Sequence, residues 1–285
     1  MLNDFRSSAC PLCGSGAIAA AGAIAYETPV RFSSREIQLE RTPELWRCRQ
    51  CRSGFAQNIL PEQAARALYS EADSTARWVP KSMEAQEMPE TLAELARLCQ
   101  PGARVLDVGA NAGDLLDFAR ARGCETDGVE YSAAGQAALR RKGHGVHASL
   151  DAAPAGYALI TAFDTVEHLY DLPRFFEACR ARLAPGGRLL LLTGDIECAS
   201  ARVSGPRWWY VTYPEHIAFP SRRYLRGRPG LALERCARTY PSPGYNMPWR
   251  ARLPVIISRL ARGKYQGLPS LGPDHLLATL RASAS

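Results

Sequence analysis

Four cysteines stand in two tight pairs, Cys10-Pro-Leu-Cys13 and Cys48-Arg-Gln-Cys51, with 34 residues between the pairs. Each short turn presents two thiolates to one ion, so the spacing predicts a tetrahedral zinc ribbon. Four thiolates leave no open position, and such a zinc is structural. Gly14 and Gly54 are expected to serve the tight turns at the two knuckles. The residues suited to moving protons lie elsewhere. Asp164, Glu167 and His168 directly follow one apolar run; His216 lies downstream of another, in Tyr213-Pro-Glu-His-Ile-Ala-Phe219, near Trp208, Trp209 and Tyr210. Histidine is the natural base near neutral pH, and Glu167 is placed to orient one of the two imidazoles. Both histidines also have an ordinary reading as capping or core groups. The aromatic cluster reads equally as a platform for a ring or sugar and as plain core.

The elements that must position these groups alternate. After a ribbon with short strands at 23–30 and 36–46, a helix opens at Pro61 and another runs from Pro89 to Cys99. Arg104–Val108 then reads as an apolar strand, Asp114–Arg122 as a helix stopped by Gly123, and Glu125–Val129 as a second strand. Ser132 is a good N-cap for a helix to Lys142. Strands follow at 145–148, 157–163 and 188–193, with a helix at 174–183 and a turn at Pro185-Gly186-Gly187. Strands alternating with helices of roughly ten residues argue for a parallel, doubly wound α/β sheet. The first strand runs into Asp107-Val-Gly109-Ala-Asn111-Ala-Gly113, and the second ends in Glu130, 23 residues after Asp107. Glycines at a strand-to-helix turn admit a ligand close to the backbone, and an acid at the next strand end can accept ribose hydroxyls. An acid at Asp107 repels a pyrophosphate and suits the cationic end of a sulfonium nucleoside.

Leu106-Asp-Val-Gly-Ala-Asn-Ala-Gly-Asp-Leu resembles motif I of the class I S-adenosylmethionine-dependent methyltransferases. Glu130 is similar to their ribose-binding acid, Phe163-Asp-Thr-Val-Glu-His-Leu to the end of their fourth strand, and Leu183-Ala-Pro-Gly-Gly-Arg-Leu to the approach to their fifth. Asn111 departs from the glycine usual there, but Asn tolerates positive φ. The ribbon and Trp46–Cys51 resemble a subgroup that includes deoxysugar, surface-polysaccharide and natural-product-cluster methyltransferases. The resemblance implies a Rossmann-like fold and S-adenosylmethionine held at Asp107, Gly109, Asn111, Gly113, Glu130 and Asp164. It also implies methyl transfer to a small hydroxylated acceptor with His168, His216 and Glu167 as catalytic groups. Asp164-x-x-Glu167-His168 with His216 further resembles the divalent-metal set of ubiquinone-type and small-RNA methyltransferases, which implies magnesium at those four residues.

Composition bounds the alternatives. The chain has 285 residues, 46% of them hydrophobic, enough for a sizeable core. Its apolar runs are far shorter than the roughly 20 residues of a membrane span, and the N-terminus shows no apolar signal region, so a cytoplasmic, reduced protein is expected. The net charge of +7 is uneven: residues 221–285 carry 12 basic and 2 acidic groups. That tail is read as two short amphipathic helices, at 253–262 and 274–282 with Asp274 as N-cap, and as a cap over the acceptor site, a homodimer contact, or an anionic-ligand or membrane-surface patch. The expected divisions are 1–60 zinc ribbon, 61–100 helical lead-in, 101–240 cofactor-binding domain and 241–285 basic tail. An RNA methyltransferase using ribbon and tail, or a non-catalytic zinc and cofactor-binding module, are the competing functions. Nucleic acid is disfavoured because the ribbon carries few paired aromatics for stacking on bases.

Overall fold

Apolar runs punctuated by glycine and proline from residue 101 onward build a sheet that is buried on both faces. A computed structural model of the chain describes residues 3–24, 30–32, 35–71, 82–262 and 268–283. The N-terminal part holds β1 (Ile18–Ala23), β2 (Val30–Phe32), β3 (Arg35–Ile37), β4 (Glu44–Cys48) and β5 (Gly54–Gln57). Helices α1 (Glu62–Glu71), α2 (Met83–Gln86) and α3 (Pro89–Leu98) follow. The alternating part is β6 (Arg104–Val108), α4 (Asp114–Arg120), β7 (Glu125–Val129), α5 (Ala133–Arg141), β8 (Gly145–His147), β9 (Tyr157–Phe163), α6 (Leu172–Arg182) and β10 (Leu183–Gly194). The last third adds α7 (Ala199–Ser204), β11 (Ala218–Phe219), α8 (Arg222–Arg226), β12 (Leu231–Thr239), α9 (Trp249–Ala261) and β13 (His275–Ala282).

The main sheet has seven strands in the order β12-β13-β10-β9-β6-β7-β8. Its five strands from β10 to β8 are mutually parallel; β13 alone is reversed, antiparallel to β10 on one side and to β12 on the other, so β12 runs in the direction of the five. Leu106, Val129, Ile160 and Leu191 are fully or almost fully buried between the helical layers. α4 turns Leu115, Leu116, Phe118 and Ala119 inward, as its sequence requires. Ser132 caps α5, its side chain accepting the Gly135 N–H at 3.0 Å.

Several expectations fail, each for a local reason. Residues 274–282 do not form a helix. They are β13, inserted between β10 and β12 and buried on both faces along most of its length. A strand covered on both faces loses the alternation that marks half-buried strands, so its apolar run mimics a helix. Pro185–Gly187 is not a free turn but part of β10, where the register against β9 shifts between Leu183 and Arg188. The ribbon strands lie at β1 and β4, flanking the small β2–β3 pair; part of the expected 23–30 strand lies outside the described residues. Gly54 does not make the second knuckle's turn. Arg52 takes the left-handed conformation there, at φ 64°, while a Cβ on Gly54 would meet Ile196 at 3.0 Å.

The ribbon sheet recruits a strand from the far end of the chain. Its order is β1-β4-β5-β11, with Ala218 opposite Phe55 and Phe219 opposite Gly54. Ser221 reinforces the join, its hydroxyl donating to the Cys51 carbonyl and its N–H bonding Ser53 Oγ at 3.1 Å. The segment carrying His216 is therefore fastened to the ribbon on one side, and by Ile217 N–H to the Glu167 carbonyl at 2.8 Å on the other.

Candidate active site

The carboxyl ends of β6 and β7 bring Asp107, the glycine loop and Glu130 together. Asn111, at φ 44°, takes the left-handed conformation, and its N–H donates to Glu130 Oε2 at 2.9 Å. The other oxygen of Glu130 accepts the Ser132 N–H at 2.7 Å. Gly109 must be glycine, because a Cβ there would lie 2.6 Å from Thr165 Oγ1. Asp107 is buried and accepts a bond from Thr161 at 2.7 Å. Burial pushes its carboxyl up to about 7, with the Thr161 bond opposing and the Glu130 charge adding. Sequence reasoning missed a third acid. Glu87, after α2, is pushed up to about 8 by burial and by the charges of Asp164 and Asp107. Its Oε2 is buried without a hydrogen-bond partner among the described residues.

Across the sheet edge, the structure gathers Glu167, His168 and His216, with one ligand atom of each within 4.8 Å of the others. The two imidazole rings meet edge to face, 4.8 Å apart. His168 Nδ1 lies 2.8 Å from the Glu215 carbonyl, and His216 Nδ1 lies 2.7 Å from the Tyr210 carbonyl. A carbonyl can only accept, so each Nδ1 carries its proton and each Nε2 keeps a lone pair. Tyr69 of α1 reaches His168 Nδ1 at 3.0 Å. Glu167 is fully buried and accepts from Thr193 at 3.0 Å and from the Tyr210 hydroxyl. Burial, then the neighbouring His168, pushes His216 down to about 3. Burial thus disfavours an imidazolium at His216.

Asp164 closes the site from the β9 end. Its backbone sits at φ 43°, and it accepts from the Tyr210 hydroxyl at 3.1 Å. Crowding by protein raises its pKa, the Glu167 charge raises it further, and His275 and His216 oppose. At 49% side-chain exposure, water in the cleft blunts the first of these. Asp164 does not join the Glu167, His168 and His216 set. Instead it faces His275, which the helical reading of β13 had hidden. His275 is fully buried, with Nδ1 2.9 Å from Asp274 Oδ1 and Nε2 3.7 Å from Asp164 Oδ1. Burial pulls the His275 imidazolium down, but the Asp274 bond and the Asp164 charge outweigh it, and its pKa lies above the ordinary value. Of the aromatic cluster, Trp208, Tyr210 and Tyr213 are buried. Trp209 stacks between Tyr245 at 4.7 Å and His275 at 5.8 Å and bonds Asp274 at 2.6 Å.

The cysteine pairs converge as their spacing predicts. Cys10 and Cys51 sulfurs lie 3.7 Å apart, Cys13 and Cys48 sulfurs 3.6 Å apart. A tetrahedron of thiolates at about 2.3 Å from a central ion has edges of about 3.8 Å. None of the four is in a disulfide, and the donor set suits zinc.

Residues 81–228, just over half of the chain, match the family model described as a methyltransferase domain. The chain belongs to the class I S-adenosylmethionine-dependent methyltransferase family. A ubiquinone biosynthesis O-methyltransferase of Nitrobacter winogradskyi is 32% identical over 104 residues, covering 33% of this chain and 40% of that protein. One from Bradyrhizobium sp. strain ORS 278 is 31% identical over 104 residues, covering 33% and 41%. The chain thus spans about two-fifths of the length of these curated relatives. Among solved structures, the 4+2 cyclase SpnF aligns with a TM-score of 0.52 at 16% identity, over 72% of this chain and 89% of that one. Likeness at that identity shows the fold alone, and a fold shared with a protein named a cyclase does not assign a reaction. The loop itself suits the family's cofactor. Asn111 Oδ1 is buried with no partner among the described residues, and burial together with neighbouring carboxylates raises Asp107 and Glu87. Among the described residues, no helix is long and apolar enough to cross a membrane.

Proposed function

We propose that this chain transfers a methyl group from S-adenosylmethionine to a hydroxyl of a small acceptor, with His168 taking the hydroxyl's proton. The carrying observation is the pair of imidazoles whose Nδ1 atoms are pinned to carbonyls, leaving Nε2 lone pairs beside buried Glu167. The cofactor, when bound, supplies a methyl on a sulfonium whose leaving group needs no acid. Asp107, Gly109, Asn111, Gly113, Glu130 and Asp164 bind it, Glu130 at the ribose and Asp107 at the cationic end. Glu167 is a positioning residue. Its carboxylate anchors Tyr210, whose carbonyl orients His216, and its own carbonyl holds the Ile217 N–H. The acceptor hydroxyl belongs to a sugar or natural-product scaffold. The O-methyltransferase names of the relatives support oxygen as the nucleophile. The divisions at 60 and 100 go with this reading, with zinc at Cys10, Cys13, Cys48 and Cys51; the division at 240 does not, because β13 lies inside the main sheet. Labelled S-adenosylmethionine offered with deoxysugar nucleotides and catechols tests it. Label should move to oxygen in at least one class, and transfer to nitrogen alone would refute it.

A second reading follows from the same cluster. Glu167, His168 and His216 are placed to hold a divalent cation that lowers the acceptor's pKa and orients it. Two imidazoles and one carboxylate suit manganese or iron better than magnesium, which prefers oxygen ligands. Chelator-sensitive turnover restored by manganese distinguishes this reading from the base.

A further inference from the structure

Half of the exposed large hydrophobic side chains among the described residues lie on one helix. On α9, Trp249 is 53% exposed, Leu253 41%, Ile257 57% and Leu260 41%. The spacing i, i+4, i+8, i+11 puts these four on one stripe. This is not a loosely held helix end. On the flank of the helix, about a quarter-turn from the stripe, Arg252 is buried, its guanidinium bonding the Ser270 carbonyl and the Tyr240 hydroxyl, each at 2.7 Å. The helix is anchored through an arginine and turns its apolar stripe to solvent, the reverse of a helix built to pack on its own core.

We infer that α9 docks this protein on an anionic lipid bilayer. Charge selects the occupant. Residues 241–273 contain five Arg and Lys and no Asp or Glu. Of these, Arg250 and Arg262 are exposed near the two ends of α9; a second copy of the chain would bring these cations together, and like charges across an interface oppose contact. An anionic bilayer complements exposed Arg250 and Arg262, while Trp249 and the aliphatic stripe enter the headgroup boundary, the pattern of interfacial helices. The helix starts four residues after Tyr245, which stacks on Trp209 of the site wall. The bound bilayer therefore lies beside the cleft. The docking itself does not depend on which reaction the cleft performs.

The test is co-sedimentation of the full chain with phosphatidylcholine vesicles, with and without phosphatidylglycerol, at low and high salt. Binding should require phosphatidylglycerol and weaken with salt, and Ile257→Glu should lower partitioning by about tenfold or more. Arg250→Glu, a charge reversal at an exposed position beside the stripe, should weaken binding too and serves if Ile257→Glu does not fold. Absence of sedimentation with phosphatidylglycerol at low salt overturns the inference, as does equal binding by the folded variants. A lipid-free dimer that Ile257→Glu dissociates also overturns it, by making a second copy the occupant.

Discussion

Glu130 has two duties in this structure, and replacing it separates them. One oxygen accepts the Asn111 N–H at 2.9 Å and the other the Ser132 N–H at 2.7 Å. The carboxylate therefore ties the glycine loop to the start of α5 before any cofactor arrives. Each oxygen still has a second lone pair for a ribose hydroxyl. In Glu130→Gln one N–H loses its charged acceptor and faces an amide donor, costing about 1.5–3 kcal/mol of stability. For a chain of this size that corresponds to a fall in Tm of about 3–10 °C. The ribose loses a comparable bond, so the Kd for S-adenosylmethionine should rise about tenfold to a hundredfold. Differential scanning fluorimetry gives the first quantity and titration calorimetry, below the melting range, the second. A fall in Tm with unchanged affinity would show that Glu130 only braces the loop, and the ribose assignment would fail.

Purified protein should contain one zinc per chain and Cys48→Ser none, by elemental analysis. Because β11 belongs to the ribbon sheet, that loss should also lower turnover while cofactor affinity holds; normal turnover without zinc would break the proposed link to His216. Asp107, raised to about 7 by burial, is protonated below that pH, so affinity for the cationic cofactor should fall as pH drops from 8 to 6, by at most about tenfold per unit. Asp107→Asn should flatten this profile, and a wild-type profile that is already flat contradicts the role. His275 is raised above its ordinary pKa, so its contribution to stability is complete below about 6.5 and is lost as pH rises through the folded value. The stability gap between wild type and His275→Leu in urea should therefore narrow from pH 6 to alkaline pH, and a constant gap would mean that His275 is buried neutral.

The parts of the fold legible in the sequence were those written locally. β6, β7 and β9 have the expected ends because glycine, proline or charged residues stand close to where each strand begins and ends. The cysteine pairs converge because a C-x2-C turn is a short-range structure. The Glu167, His168 and His216 cluster was legible because both histidines follow strands at the ligand-binding edge of an open sheet. What stayed hidden depends on partners distant in the chain. β13 is a strand only because β10 and β12 flank it, and with its identity went His275 and the buried Asp274 beside it. Glu87 enters the site from the loop between α2 and α3, and β11 pairs with β5 across more than 150 residues. Pattern alone announces none of these contacts.

Proton removal by His168 is tested by the pre-steady-state rate of methyl transfer in His168→Ala and His216→Ala, with cofactor affinity measured on the same samples. Proton removal by His168 predicts that His168→Ala slows transfer by about 10²–10⁴ with nearly unchanged Kd for S-adenosylmethionine. His216→Ala should cost less, because burial disfavours a charged His216. Near-wild-type transfer in His168→Ala, in the presence of a chelator, would rule out His168 as the base.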